Sequence, residues 1–212
     1  MNQKKQNVSM SVIRRLPRYY RFLSELGKNG ATRISSKELS EKMGFTASQI
    51  RQDFNCFGGF GQQGIGYNVE VLLYELGHLL FREEPLDAIL IGTGRLGTAI
   101  SSYLTNDARG YRLVAAFDIR PDQVGRQLFG VCIQHVSNLR AFCQQHHPQV
   151  AVLCVPKSSA KDLAPTLVDM GIRGFWNFSH YDLSVAYPNV VVENVHLGDS
   201  LMSLSYQVNH LG

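Results

Sequence analysis

The chain has 212 residues, 44% of them apolar, enough for one large domain or two small ones with packed cores. Its longest apolar runs are strand-sized and its N-terminus is polar and basic, which argues against a membrane span or a secretory segment and predicts a cytoplasmic protein. The net charge of +4 is unevenly spread: residues 1 to 67 hold eleven Lys or Arg against four Asp or Glu, a net +7, while residues 68 to 212 hold ten against thirteen, a net −3. A basic unit ahead of a mildly acidic one suggests a polyanion partner for the first.

The basic unit opens with "MSVIRRLPRYYRFLSELGKNG", which places Ile13, Leu16, Tyr20, Leu23 and Leu26 at helical spacing with Gly27 to Gly30 as the stop. Pro17 must kink this helix or lie near its first turn. In "ISSKELSEKMG", Ser35 and Glu38 form a capping box, Leu39 and Met43 an apolar stripe, and Gly44 a C-terminal cap. After a short turn, "TASQIRQDFNCF" starts again with Thr46 and Gln49 as a second capping box. Two short helices joined this way predict a helix-turn-helix. In its second helix Ile50, Phe54 and Phe57 line one side and leave Ser48, Arg51, Gln52 and Asn55 on another. Arginine, glutamine and asparagine are the side chains that grip base edges in a major groove, although an ordinary polar face has the same look. "GGFGQQGIGY", residues 58 to 67, then packs five glycines around Phe60 and Ile65, as expected of a hairpin wing that approaches phosphates through its backbone.

The second half begins with "LDAILIGTGRLGTAI", residues 86 to 100. The apolar run from Leu86 to Ile91 leads into Gly92, Gly94 and Gly97, the G-x-G-x-x-G spacing of a dinucleotide-binding turn. Gly92 permits the tight turn, Gly94 lets backbone approach a pyrophosphate, and Gly97 lets the helix pack close to the strand. The triplet alone is weak, but "YRLVAAFD" supplies a second strand ending in Asp118, about 20 residues beyond the last glycine, where such folds place a carboxylate on the ribose hydroxyls. Arg120 would welcome a 2′-phosphate whereas Asp118 would repel one, so NAD(H) is favoured over NADP(H).

Cys56, Cys132, Cys143 and Cys154 are scattered and read as reduced thiols. Cys143, His146 and His147 lie near one another, but a fourth ligand and the usual spacing are missing, so no metal is expected. The tail "LGDSLMSLSYQVNHLG" carries Leu197, Leu201, Leu204 and Val208 on one helical stripe, to be buried either within the chain or against another subunit.

With these halves joined, the sequence resembles the Rex family of bacterial redox-sensing transcriptional repressors. The likeness runs through "IRRLPRYYRFL", "RISSKELSEKMG", "QIRQDF", "GIGYNVEVL", "GTGRLGTAI", "AAFDIRPDQVG", "VPKSSAKDLA", "GIRGFWNF" and "VVVENV". It implies an α/β protein with a winged helix-turn-helix domain over residues 1–80, a Rossmann NAD(H)-binding domain over 81–196 and a C-terminal dimerisation helix over 197–212, exchanged between subunits. It further implies a homodimer on a palindromic AT-rich double-stranded DNA operator, released by NADH and permitted by NAD. The cofactor contacts it implies are Gly92, Gly94, Arg95, Leu96, Gly97, Tyr103, Asp118, Val155 and Pro156. Those to DNA are Ser48, Arg51, Gln52 and Asn55, with Gln62 and Gln63 in the wing.

Several positions depart from the family pattern. Gln52 stands where lysine is common, and Gln62 and Gln63 occupy a stretch that usually holds a basic residue. Each lost phosphate contact removes about 0.9 from the salt slope, so operator binding should be weaker or less salt-sensitive than is typical. In the family an aspartate after "ENV" exchanges partners between an arginine and a tyrosine, matched here by Arg21 and Tyr103; His196 replaces that aspartate. A protonated His196 would repel Arg21, so the charge logic of the switch is lost or becomes pH-dependent. Leu197 replaces a phenylalanine used against the nicotinamide, and "NFSHYDL" places Ser179 and His180 where "NFAPV" is usual.

A DNA-binding regulator is therefore expected, with or without a full response to NADH. Two other readings stand beside it. One is a small NAD(P)-dependent oxidoreductase or CoA-binding module, for which the chain leaves little room for a substrate region. The other is an architectural dimer whose nucleotide only stabilises the fold.

Overall fold

The computed structural model describes residues 8–58, 61–62 and 65–211, of which Gly61 and Gln62 are described by their backbone alone. The chain divides between Glu83 and Glu84 into two compact units.

In the first unit, α1 (Met10–Ile13) and α2 (Leu16–Lys28) are separated by a turn at Arg14 and Arg15, and Pro17 sits in the first turn of α2, where its missing N–H costs nothing. β1 (Arg33–Ile34) precedes α3 (Ser36–Met43) and α4 (Ala47–Asn55). The capping box at the start of α3 is complete: Glu38 N–H donates to Ser35 Oγ, and Ser35 N–H to Glu38 Oε2. Gly44 closes α3 in the left-handed conformation at φ 70°. Thr46 Oγ1 accepts the Gln49 N–H at 3.1 Å, a one-sided cap on α4. The wing is a small antiparallel sheet in the order β1-β3-β2, with β2 (Gly61–Gln62) and β3 (Gly66–Asn68) forming the hairpin. α5 (Val69–Leu80) then packs across α2.

The buried stripe of the first helices is Val12, Leu16, Tyr19 and Leu23, which differs from the expected one. Ile13 is exposed and Tyr20 is half-buried, its ring edge-on to Phe81 with centroids 5.2 Å apart. One residue is a rotation of about 100° on a helix, and the break at Arg14 and Arg15 resets the phase that an unbroken helix from Ile13 would have had.

The second unit is a seven-stranded sheet in the order β10-β9-β8-β4-β5-β7-β6. Its strands are β4 (Leu86–Ile91), β5 (Tyr111–Asp118), β6 (Gln127–Leu128), β7 (Val131–His135), β8 (Val150–Leu153), β9 (Gly174–Asn177) and β10 (Val191–Asn194). All pairings are parallel except the β6–β7 hairpin. The central strands read as apolar runs, such as Ala88, Ile89, Leu90 and Ile91, because both sheet faces are covered. The connecting helices are α6 (Arg95–Asn106), α7 (Leu139–His146), α8 (Lys157–Asp169) and α9 (Leu183–Ala186). The chain leaves β4 toward β5 and β7, then returns to the other side of β4 for β8, β9 and β10. This is the doubly wound order, with its switch point between β4 and β8. α10 (Leu197–Asn209) follows, and none of its residues is buried.

Candidate nucleic-acid interface and nucleotide site

The three residues of the turn from Gly44 to Thr46 set α4 against α3, with Ile50 and Phe54 buried and Ser48, Arg51, Gln52 and Asn55 all on the exposed side. Between them lies Asp53, a carboxylate only 2% exposed. Arg15 Nε and Nη2 donate to its two oxygens at 2.7 Å each, and the Tyr19 hydroxyl donates to Oδ2 at 2.8 Å. The Asp53 bond holds the Arg15 guanidinium above its usual range, against the opposing effect of burial. Burial first, and the carboxylate second, push the Tyr19 phenol well up, so it remains a donor. A forked pair with a third donor fixes both rotation and translation of α4 relative to α2.

Arg18 holds the turn from the same helix: its Nη2 donates to the Met43 carbonyl at 2.7 Å and its guanidinium lies 4.7 Å from the Phe45 ring centroid. Two of the cations that make this unit basic therefore hold α4 and the turn before it in place. Arg51 Nη1 donates to Ser36 Oγ at 3.1 Å on the surface. Gln62 belongs to β2, and Gln63 lies outside the described residues.

In the second unit the glycine turn is closed at two positions and open at the third. Gly92 has φ 91°, and a Cβ there would meet the Cys154 carbonyl oxygen at 2.5 Å and Val155 Cγ1 at 2.7 Å. A Cβ on Gly97 would collide with the Gly92 carbonyl, so strand and helix touch backbone to backbone. At Gly94, by contrast, nothing lies within 4 Å of the Cβ position. Gly94 is also the N-cap of α6, and no side chain caps that end. The free N–H groups of the first turn thus face open space, which fits an anion. A cleft of about 460 Å³ lies here, lined by Thr93, Gly94, Arg95, Thr98, Arg120 and Gln123. Leu96 is 37% exposed on the first turn of α6. Val155 and Pro156 follow β8 on the other side of the switch point, with Val155 against Gly92 and Pro156 as the N-cap of α8.

Asp118 ends β5, 6% exposed. Its Oδ2 accepts from Thr93 N–H at 2.8 Å, Thr93 Oγ1 at 2.7 Å and Arg120 Nη2 at 3.2 Å, and its Oδ1 from Arg120 N–H at 3.0 Å and Nε at 3.2 Å. Burial pushes its pKa up, but the bonds from Arg120 and Thr93 outweigh it and hold the carboxyl far below its usual range. These residues suit the adenosine and pyrophosphate of a dinucleotide. Thr93, Thr98 and Gln123 escaped the sequence reading; Thr93 sits inside the glycine motif at an unspecified position.

The proposed switch residues are not gathered at this cleft. Tyr103 is two turns further along α6, its ring 6.1 Å from Trp176. Arg21 is exposed on α2 in the other unit. The ring of His196 stacks on that of His180 with centroids 4.7 Å apart, and its Nδ1 lies 3.4 Å from Asp199 Oδ2. Its Nε2 is buried without a hydrogen-bond partner. His180 adopts a left-handed conformation at φ 58°, next to Ser179, whose hydroxyl and N–H both donate to Asn177 Oδ1. Leu197 is 59% exposed.

The cysteines carry no redox pair among the described residues. Burial pushes the Cys143 thiol up to about 11 and the Cys154 thiol up to about 12, so both stay protonated and inert. Cys143 points into the core while His146 stacks on Phe142.

Fold and sites together define a DNA-binding protein in which a winged helix-turn-helix unit precedes a dinucleotide-type Rossmann unit. Two family models match: a putative DNA-binding protein N-terminus over residues 7–55 and a CoA binding domain over residues 83–181. The redox-sensing transcriptional repressors Rex of Clostridium novyi and of Caldanaerobacter subterraneus are 50% and 51% identical, the first over 98% of both chains, the second over 97% of this chain and 92% of that one. The chain belongs to the Rex family.

Among solved structures, RSP in complex with β-NAD+ and operator DNA superposes with a TM-score of 0.89 at 49% identity, covering 96% of this chain and 94% of that one. RSP in complex with β-NADH gives 0.87 at 46% identity, covering 96% and 95%.

Proposed function

We propose that the protein represses transcription by binding a palindromic AT-rich operator as a homodimer in the cytoplasm, and that NADH bound to its Rossmann unit releases it. The observation that carries this reading is the clamp of Arg15 and Tyr19 on Asp53, which turns Ser48, Arg51, Gln52 and Asn55 outward as a set. Arg51, Gln52 and Asn55 have the donors and acceptors to read base edges, and Ser48 near the start of α4 suits a phosphate. The same chain carries the open Gly94 turn with its uncapped helix end. A relative of 46–49% identity is known with NAD+ and operator DNA, and with NADH.

Gly92, Gly97 and Val155 shape the turn, Gly94, Arg95 and Leu96 present the helix end to the pyrophosphate, and Asp118 serves the ribose. Pro156 starts a second helix at the same sheet edge, and Tyr103 faces Trp176 beyond it. The dinucleotide is a signal in this reading, and its nicotinamide transfers no hydride. The CoA-binding model covers the Rossmann half alone, whereas the full-length relatives are repressors.

The exposed apolar residues of α10 support dimerisation through that helix, with exchange between subunits. In the switch itself, Arg21 and Tyr103 match the family's two partners in sequence only, and His196, with Asp199 Oδ2 3.4 Å from its Nδ1, stands where the family has a carboxylate.

The test is fluorescence anisotropy of a labelled palindromic AT-rich duplex with the full-length protein at fixed salt, without nucleotide and with saturating NAD+ or NADH. Specific binding released by NADH alone is the expected result. Specific binding indifferent to both nucleotides would leave a regulator without a redox switch, and no specific binding would return the oxidoreductase reading.

A further inference from the structure

We infer that the ribose end of the cleft accepts a 2′-phosphate, so that the protein binds NADP(H) as well as NAD(H), with Arg120 deciding the balance. This rests on the cleft being the dinucleotide site proposed above.

The usual exclusion of a 2′-phosphate depends on an unpaired carboxylate that grips the ribose diol and repels the extra charge. Asp118 is not unpaired. Its two oxygens offer roughly four acceptor positions, and five donors from Thr93 and Arg120 already occupy them at 2.7–3.2 Å. To accept ribose hydroxyls, the carboxylate must release the guanidinium. A phosphate in the same place makes no such demand, because it brings its own acceptors.

Arg120 has donors to give it. A guanidinium carries about five N–H groups, and only Nε and Nη2 are engaged with Asp118. The side chain is 47% exposed and lines the cleft. Asp118 and Arg120 together are electrically neutral, so the repulsion expected from the acid is cancelled where the phosphate would lie. The remaining lining is Thr93, Gly94, Arg95, Thr98 and Gln123. Asp122, outside that lining, also acts on Arg120 and accepts a hydrogen bond from Gln123 Nε2 at 2.6 Å. Guanidinium and phosphate match in geometry as well as charge, since planar paired donors meet two phosphate oxygens.

The experiment is isothermal titration of the full-length protein with NADH and with NADPH, and competition of each by 2′,5′-ADP, for the wild type, Arg120→Ala and Arg120→Lys. The expected result is a wild-type NADPH affinity within tenfold of that for NADH. Arg120→Ala should weaken NADPH at least tenfold more than it changes NADH, since only NADPH carries the 2′-phosphate that the guanidinium would meet. Arg120→Lys should retain part of the NADPH affinity. Wild-type NADPH binding more than tenfold weaker than NADH overturns the inference and leaves the dinucleotide reading intact, whatever the variants do. Equal weakening of both nucleotides in Arg120→Ala also overturns it. Binding of neither nucleotide to the wild type removes the dinucleotide reading and this inference with it.

Discussion

Arg15 and Asp53 stand 38 residues apart in sequence and are joined by two hydrogen bonds of 2.7 Å that tie α4 to the turn before α2. Because Asp53 is buried, losing it leaves Tyr19 and Arg15 without their acceptor. Asp53→Ala should therefore destabilise the N-terminal unit by about 3–5 kcal/mol, and Asp53→Asn, which keeps one acceptor, by about 1–3 kcal/mol. Urea unfolding followed by far-UV circular dichroism reads this loss. The single tryptophan, Trp176, lies in the other unit, and its fluorescence transition should stay in place. A shift of both transitions together would mean that the two units do not unfold separately.

Arg51 is exposed and makes a side-chain hydrogen bond to Ser36. Arg51→Ala should cost the fold less than about 0.5 kcal/mol while weakening operator binding by roughly 1–3 kcal/mol. If Arg51 reads a base, the loss depends on the operator position it faces; if it meets only phosphate, the loss is uniform and the salt slope falls by about 1. Titrations of two operator variants at three salt concentrations separate these cases. An unchanged affinity at every salt would remove Arg51 from the interface.

How legible this was depended on how local each feature is. The Ser35 and Glu38 capping box, Gly44 and the glycine turn are set by residues within a few positions of one another, and the sequence displays them. Asp53 was passed over although it lies three positions from Ile50, on the buried stripe. A carboxylate there announces a partner, but only the tertiary fold reveals that Arg15 and Tyr19 supply it. The same two residues show why net charge was a partial guide: it counts Arg15 and Arg18 as available to DNA, while the fold binds both internally. Tyr20 was chosen over Tyr19 because a 3.6-residue period cannot see the break at Arg14 and Arg15. Arg120 was visible but its engagement with Asp118 was not, since two side chains two positions apart on a turn can point either way.

Gly94 and Gly97 should separate binding from folding. Alanine at Gly97 meets the Gly92 backbone and must push α6 away from β4, which predicts a loss of several kcal/mol. Alanine at Gly94 enters open space with an allowed φ of −66° and should cost at most about 1 kcal/mol, the loss of a good N-cap. Its methyl group fills the space meant for the pyrophosphate, so NADH affinity should fall at least tenfold while the protein stays folded. Thermal unfolding and NADH titration of both variants check this; undiminished NADH binding by Gly94→Ala would place the nucleotide elsewhere.

Asp118 should make the Rossmann unit acid-sensitive. Its folded pKa lies well below the ordinary 3.8, so between the two values the unfolded chain binds the proton and the folded chain does not. Stability from this group is therefore full above about pH 5 and is lost as pH falls through 4 and toward the folded value. Asp118→Asn should flatten that part of the profile. Trp176 fluorescence in urea at pH 3, 4, 5 and 6 gives the comparison, and parallel profiles for the two proteins would show that the acid sensitivity arises at other carboxylates.

α10 presents Leu197, Leu201, Leu204 and Val208 on one stripe, with exposures from 55% to 64%, and Met202 and Tyr206 exposed on its other side. A helix this apolar is not at rest in water, and a second copy of the chain is the occupant that the proposed palindromic operator would require. Within one subunit Leu204 buries little, so Leu204→Asp should change the stability of the subunit by no more than about 0.5 kcal/mol. At a subunit interface the same change removes a buried leucine and inserts a charge, worth roughly 3 kcal/mol or more. That corresponds to a dissociation constant raised by roughly a hundredfold. Sedimentation equilibrium should show the wild type as a dimer and the variant dissociating at micromolar concentration. Operator affinity should fall with it, because a monomer reaches one half-site where a dimer reaches two. A variant that remains dimeric under these conditions would exclude α10 as the interface.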